Sequence, residues 1–207
     1  HKGLGSVAER NFRPHVNCVN ITPDQKYLCA VDLGVDQVKI YKFNHETGKI
    51  TLVDMLRCEL ESAPRIIKFS PDGRFAYLIC ELKNYISVYS YKDGPRGPVF
   101  ELLQTISTLN DYHSSGSAAC VLRFSRDWKY VLCSNAGDNS IGIFKIDRET
   151  GKLEKICILP ISGDYPKAAD FFPDNRHIMS LNHETNTMTI FKINYEKKYF
   201  SMWGNPL

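Results

Sequence analysis

The chain has 207 residues, 43% hydrophobic and 24% charged, with a formal charge of +3. This is the composition of an ordinary globular protein, enough for one large domain or two small ones. The charge is too small and too evenly spread for a nucleic-acid surface, and no run of about eighteen apolar residues exists to enter a membrane.

Four copies of one phrase follow in chain order. "ITPDQKYLCAVD" begins at Ile21 and is followed by "QVKIYKF", a turn "NHETGKI" and "TLVDML". "FSPDGRFAYLIC" begins at Phe69 and leads into "YISVYSY", with the loop inserts "KDGPRGP" and "NDYHSSGS" beyond it. "FSRDWKYVLCSN" begins at Phe124 and is followed by "SIGIFKI", "DRETGKL" and "EKICIL". "FFPDNRHIMSLN" begins at Phe171 and precedes "TMTIFKI". The turn position is Pro23, Pro71, Arg126 and Pro173, at spacings of 48, 55 and 47 residues. Pro-Asp-Gly is turn chemistry: proline fixes φ, aspartate bonds nearby backbone, and glycine accepts positive φ. The flanking runs are β-branched and aromatic, which predicts strands and no helix.

Each unit is therefore four short strands in about fifty residues, the signature of a β-propeller blade. The expected units are 12–60, 61–112, 113–162 and 163–207, in an all-β chain. A β-sandwich has no reason to repeat its turn phrase at near-constant spacing. Open terminal blades expose strand edges and apolar faces, so the expectation is a portion of a larger ring rather than closure at four. The start at His1 rather than Met agrees with that expectation.

In a propeller, equivalent positions ring the central channel, so columns across the repeats are informative. The first column lies six residues before the turn position: Asn17, Arg65, Cys120 and Lys167. The second lies ten after it: Leu33, Glu81, Ala136 and His183. One column starts the first strand and the other ends the antiparallel second, so both are expected at one end of the blades. Arg65, Lys167, Glu81, His183 and His15 are then expected to line one pocket for a small anionic metabolite, with Asn17, Asn135 and Cys120 as further substrate contacts. An arginine fork grips carboxylate or phosphate, and a glutamate beside it can act as a base. The plainer readings stand beside these: Arg65–Glu81 as a structural ion pair, His183 as a solvated turn residue, Lys167 as an exposed lysine and Cys120 as packing. His15, in a loop after proline, is open to either.

Other chemistry finds little support. Seven cysteines without a Cys-x-x-Cys pair suggest a reducing cytoplasm rather than a disulfide framework. No Cys/His spacing matches zinc, and no cofactor motif is present. "KGLGS" is too short for a phosphate loop, and Ser115 and Ser117 lack a Gly-x-Ser-x-Gly frame.

The stretches "RPHVNCV", "APRIIKFSPDGRFAYLICEL", "LLQTISTL", "SAAC", "CSNAGDNSIGIFKID" and "NHETNTMTIFKI" resemble the lactonase family of seven-bladed propellers, and the resemblance covers nearly the whole chain. It implies roughly three earlier blades and a parent chain of about 350 residues. The family's proposed site takes a histidine and an arginine from the first column, and a glutamate and an arginine from the second. Arg65 and Glu81 match these. Asn17 stands in the histidine's place, with His15 matching the earlier histidine of a His-x-His stretch. Ala136 replaces an arginine, Asp138 a common histidine, and Cys120 a frequent glutamate; Lys167 replaces an arginine and keeps its charge. The resemblance implies a hydrolase of an anionic sugar lactone, with a muconate-type cycloisomerase and a non-catalytic binding propeller as the rivals.

Overall fold

The computed structural model describes residues 13–113 and 116–207; "KGLGS" and Ser115 lie outside them. Among the described residues, sixteen strands form four antiparallel sheets of four, each assembled in chain order. The first sheet holds β1 (Val16–Ile21), β2 (Tyr27–Asp32), β3 (Gln37–Phe43) and β4 (Ile50–Arg57). The second holds β5 (Pro64–Phe69), β6 (Phe75–Cys80), β7 (Tyr85–Gly94) and β8 (Gly97–Ser107). The third holds β9 (Arg123–Phe124), β10 (Tyr130–Asn135), β11 (Ser140–Ile146) and β12 (Leu153–Pro160). The fourth holds β13 (Pro166–Phe171), β14 (His177–Asn182), β15 (Thr187–Asn194) and β16 (Tyr199–Met202). The helical content among the described residues is a single 3-10 turn, Leu33–Val35.

The repeated phrase forms the first hairpin of every sheet, for a reason visible in its side chains. A hydroxyl closes the turn in three copies. Thr22 Oγ1 donates to Asp24 at 2.6 Å and accepts from the Tyr27 N–H at 3.1 Å. Ser70 does the same with Asp72 and Phe75, and Ser125 with Asp127 and Tyr130. The fourth copy has Phe172 at that place, and Asp174 itself accepts from the Arg176 and His177 N–H groups. The residue after each aspartate is left-handed: Gln25, Gly73, Trp128 and Asn175 have φ of 60°, 72°, 54° and 55°. Only one of the four is glycine. Exposed Gln25 bears the steric cost of the left-handed region that glycine does not, so Gln25→Gly is expected to stabilise the protein. The gain is about 0.5 kcal/mol, the left-handed penalty less glycine's entropy, read as a higher urea midpoint.

The chain divides into two compact units, His1–Thr105 and Ile106–Leu207. In the first, the sheets β1–β4 and β5–β8 share a core containing Val31, Val38, Ile40, Ile67, Leu78 and Cys80. Successive members of one strand are two apart, as the pleat requires when one face is buried. In the second, Leu132, Ile141 and Ile143 pack with Ile178, Phe191 and Phe200. Each such side chain contributes roughly 2 kcal/mol by leaving water. Within each unit the first strands of the sheets are neighbours: β1 lies against β5, and β9 against β13. Asn20 Nδ2 donates to the Ile67 carbonyl at 3.0 Å, and Arg123 pairs with Asp170 at 3.2 Å.

Candidate active site

The first-column residues sit where the ladder breaks. The register of β1 with β2 shifts between Val16 and Cys18, of β5 with β6 between Pro64 and Ile66, and of β13 with β14 between Pro166 and Ala168. Asn17, Arg65 and Lys167 are the extra residues of three β-bulges, which bend the strand and re-aim one side chain. A proline precedes Arg65 and Lys167, and proline has no N–H to lose from a ladder. In the third sheet Cys120 holds the same place: Ala119 bridges Asn135, and the Cys120 N–H donates to the Ser134 carbonyl at 2.8 Å.

One main-chain hydrogen bond ties the two columns together in every sheet. Leu33, Glu81, Ala136 and His183 donate their N–H groups to the carbonyls of His15, Ala63, Ala118 and Tyr165, at 3.0, 2.8, 2.8 and 3.0 Å. Each acceptor lies two residues before the first-column residue of the same sheet. The columns therefore meet at one end of each sheet.

In the first unit this end carries an ion pair. Arg65 Nη1 donates to Glu81 Oε2, with the arginine side chain 29% exposed and the glutamate side chain 5%. The carboxylate is enclosed while the arginine side chain is partly exposed, which leaves the arginine accessible to an incoming anion. Exposed Asn17 reaches across from β1, its Nδ2 donating to the Arg65 carbonyl at 3.3 Å. His15 is exposed, and buried Asp32 fixes its backbone by accepting the His15 N–H at 2.7 Å. The Cys80 thiol, next to Glu81, is pushed up to about 12 by burial, which removes it as a nucleophile.

In the second unit Lys167 and His183 flank one aromatic ring. Lys167 Nζ lies 5.2 Å from the centre of the Tyr165 ring, and the His183 ring lies 6.4 Å from it. Both are exposed and line an open groove of about 440 Å³ with Asn186, Met188 and Leu207. Cys120 and Asn135 turn inward instead. Cys120 belongs to the apolar core, with Sγ 3.4 Å from the Ala118 carbonyl. Asn135 is fully buried and spends its amide on the Thr108 carbonyl at 2.8 Å and on Ser140 at 3.0 Å. The equivalent Asp32 and Asn182 are buried too and hold their own loops, so this position serves the scaffold.

Two features of this end were not singled out from the sequence. One is Tyr165, the shelf under Lys167, which the aromatic residue ahead of proline in "DYPKAAD" could have signalled. The other is a small polar residue thirteen places past each turn position: Asp36, Asn84, Asn139 and Asn186, all left-handed with φ of 52°, 51°, 51° and 50°. Asparagine and aspartate recur there because they tolerate this conformation. Among the described residues, no group of three His, Cys, Asp or Glu side chains is placed to hold a metal ion, and no helix is long and apolar enough to cross a membrane.

Comparison with known proteins places this architecture. A sequence profile of the family described as "Lactonase, 7-bladed beta-propeller" matches residues 1–204. An uncharacterized protein of Lactococcus lactis subsp. cremoris is 36% identical over 192 residues, covering 92% of this chain and 54% of that protein. The 6-phosphogluconolactonase of Bacillus subtilis is 28% identical over 192 residues, 93% of this chain and 54% of that enzyme. The structure of the periplasmic gluconolactonase of Pseudomonas aeruginosa superposes with a TM-score of 0.83 at 27% identity, covering 92% of this chain and 53% of that one. The chain thus spans about half the length of the curated relatives it matches. Its four sheets are blades of a β-propeller, and the chain belongs to the seven-bladed lactonase family.

Proposed function

We propose that the protein is a lactonase that hydrolyses an anionic sugar lactone, in the manner of a 6-phosphogluconolactonase. The observation that carries this reading is the Arg65–Glu81 pair, an enclosed carboxylate against a partly exposed guanidinium at a bulge. Glu81 takes a proton from water as the water oxygen bonds to the lactone carbonyl carbon. Arg65 stabilises the oxyanion that forms, a contribution strongest in the transition state. Collapse of the tetrahedral species breaks the ring C–O bond, and the proton held by Glu81 passes to the leaving alkoxide, giving a hydroxy acid. His15, at the same end of the first unit, supplies proton exchange beside the substrate. The phosphate or carboxylate of a small anionic metabolite is the group that Arg65 fits, with no cofactor in the reaction. A reducing cytoplasm suits seven free cysteines, five of them buried.

The test is hydrolysis of freshly prepared 6-phosphogluconolactone by the full-length protein. Glu81→Gln is expected to lower kcat by about 10² to 10³, the usual contribution of a positioned base. An unchanged rate in that variant removes Glu81 from the role. A second reading has its own support: Leu33 and Ala136, the buried counterparts of Glu81 in the first and third sheets, bring no polar side chain. A propeller that binds sugar phosphates without turning them over would show saturable binding and no hydrolysis.

A further inference from the structure

The segment that leads into the Arg65 bulge is held by a residue from the neighbouring sheet, one of the series of left-handed hairpin residues. Asp36 lies between β2 and β3 of the first sheet and is 3% exposed. Its carboxylate leaves that sheet and accepts from the second: Oδ2 takes the Glu61 N–H at 2.9 Å, and Oδ1 the Ala63 N–H at 2.8 Å. Glu61 and Ala63 are both left-handed, with φ of 63° and 52°. Side chains avoid that region, and two such residues so close persist only where something outside the segment over-determines them. A buried carboxylate in a nest of backbone N–H groups supplies that determination through charge-assisted bonds.

Ala63 is the pivot of the site. Its N–H is held by Asp36, its carbonyl accepts the Glu81 N–H at 2.8 Å, and Pro64 and the Arg65 bulge follow it directly. The second unit repeats the device. Asn139 Oδ1 accepts the Tyr165 N–H at 2.7 Å, Tyr165 is left-handed with φ of 60°, its carbonyl accepts the His183 N–H at 3.0 Å, and Pro166 and the Lys167 bulge follow. The same chain of bonds thus runs from a hairpin of one sheet to both column residues of the next, twice. It uses an aspartate where the next sheet carries the ion pair.

We infer that Asp36 is a positioning residue for the Arg65–Glu81 pair, acting through the Ala63 backbone rather than by touching substrate. The inference rests on the lactonase reading for its kinetic arm alone. Without Asp36, Ala63 is free to leave the left-handed region, and the Glu81 main chain and the Arg65 bulge lose their common anchor. Displacements of about 1 Å at such a site cost on the order of 10²-fold in rate.

The experiment uses the full-length protein with Asp36→Ala and Asp36→Asn. Asparagine stands at this place in the other three sheets and retains one acceptor for Ala63. Amide hydrogen exchange at Ala63 and Glu81 is expected to rise at least about tenfold in the alanine variant, with Tyr165 and His183 unchanged. On 6-phosphogluconolactone, kcat is expected to fall about 30-fold with KM within threefold, and the asparagine variant to recover most of that loss. Asn139→Ala is expected to accelerate exchange at Tyr165 and His183 instead. Exchange at Glu81 that stays at the wild-type rate in both Asp36 variants overturns the inference. So does a kcat loss that asparagine does not rescue. Should the alanine variant fail to fold, the asparagine variant decides: it is expected to raise Glu81 exchange and lower kcat a few-fold, and a change in neither overturns the inference. A wild-type protein that does not hydrolyse the lactone overturns the proposed function instead, and the exchange measurements still decide the role of Asp36.

Discussion

Arg65→Ala is expected to abolish most lactone hydrolysis and to destabilise the protein together. The variant leaves the Glu81 carboxylate, whose side chain is 5% exposed, without its guanidinium. Removing one partner of a fully buried pair costs about 3–5 kcal/mol; with the Arg65 side chain 29% exposed, water softens this to about 2 kcal/mol. On the proposed role of Arg65, its loss is expected to lower kcat by about 10² to 10³. A purely structural ion pair predicts the stability loss as well, so the single variant does not separate the readings. The double variant Arg65→Met with Glu81→Leu does. Replacing a buried pair by apolar side chains of similar volume is commonly neutral or stabilising. The double variant is expected to melt within a few degrees of wild type and to hydrolyse no lactone above background. Retention of more than about a tenth of wild-type kcat would show the pair to be scaffold only.

The second large effect is expected at Gly34, in the 3-10 turn after β2. A Cβ there would lie 1.7 Å from the Arg13 carbonyl oxygen and 2.9 Å from the His15 nitrogen. Both are backbone atoms, so no side-chain rotation relieves the clash. Gly34→Ala must push the Arg13–His15 segment away, breaking the Leu33–His15 bond that joins the columns in the first sheet. The expected cost is about 3 kcal/mol, at the upper end for overpacking, measured as a lowered melting temperature and faster exchange at the Leu33 amide. Gly137 is the counterpart in the third sheet, where a Cβ would meet Gly116 O at 2.8 Å and Ser117 Cα at 2.9 Å. Gly137→Ala should be the milder of the two, and the reverse order would contradict this account.

The architecture was legible because four copies of one turn phrase repeat at intervals near fifty residues, and a repeat that long allows few folds. Counting from the turn also found Arg65 and Glu81, which the structure brings into contact. The bulges were not legible: a register shift leaves no mark on apolar alternation, and only Pro64 and Pro166 hinted at a break in pairing. Asn135 shows the limit of position counting. It lies one residue before the second column, and one step along a strand turns the side chain to the opposite face. The left-handed backbone of Ala63 and Tyr165 had no local signal, since the groups that hold it, Asp36 and Asn139, come from hairpins 27 and 26 residues earlier.

The bond between the columns joins N–H to C=O and involves no side chain. Leucine, glutamate, alanine and histidine therefore occupy one geometrically equivalent station, as do asparagine, arginine, cysteine and lysine at the other. At the exposed stations, Asn17, Lys167 and His183, a substitution alters what a sheet presents without touching that main-chain bond. What these ends offer to a ligand can therefore change one sheet at a time while the bond that closes each end is kept.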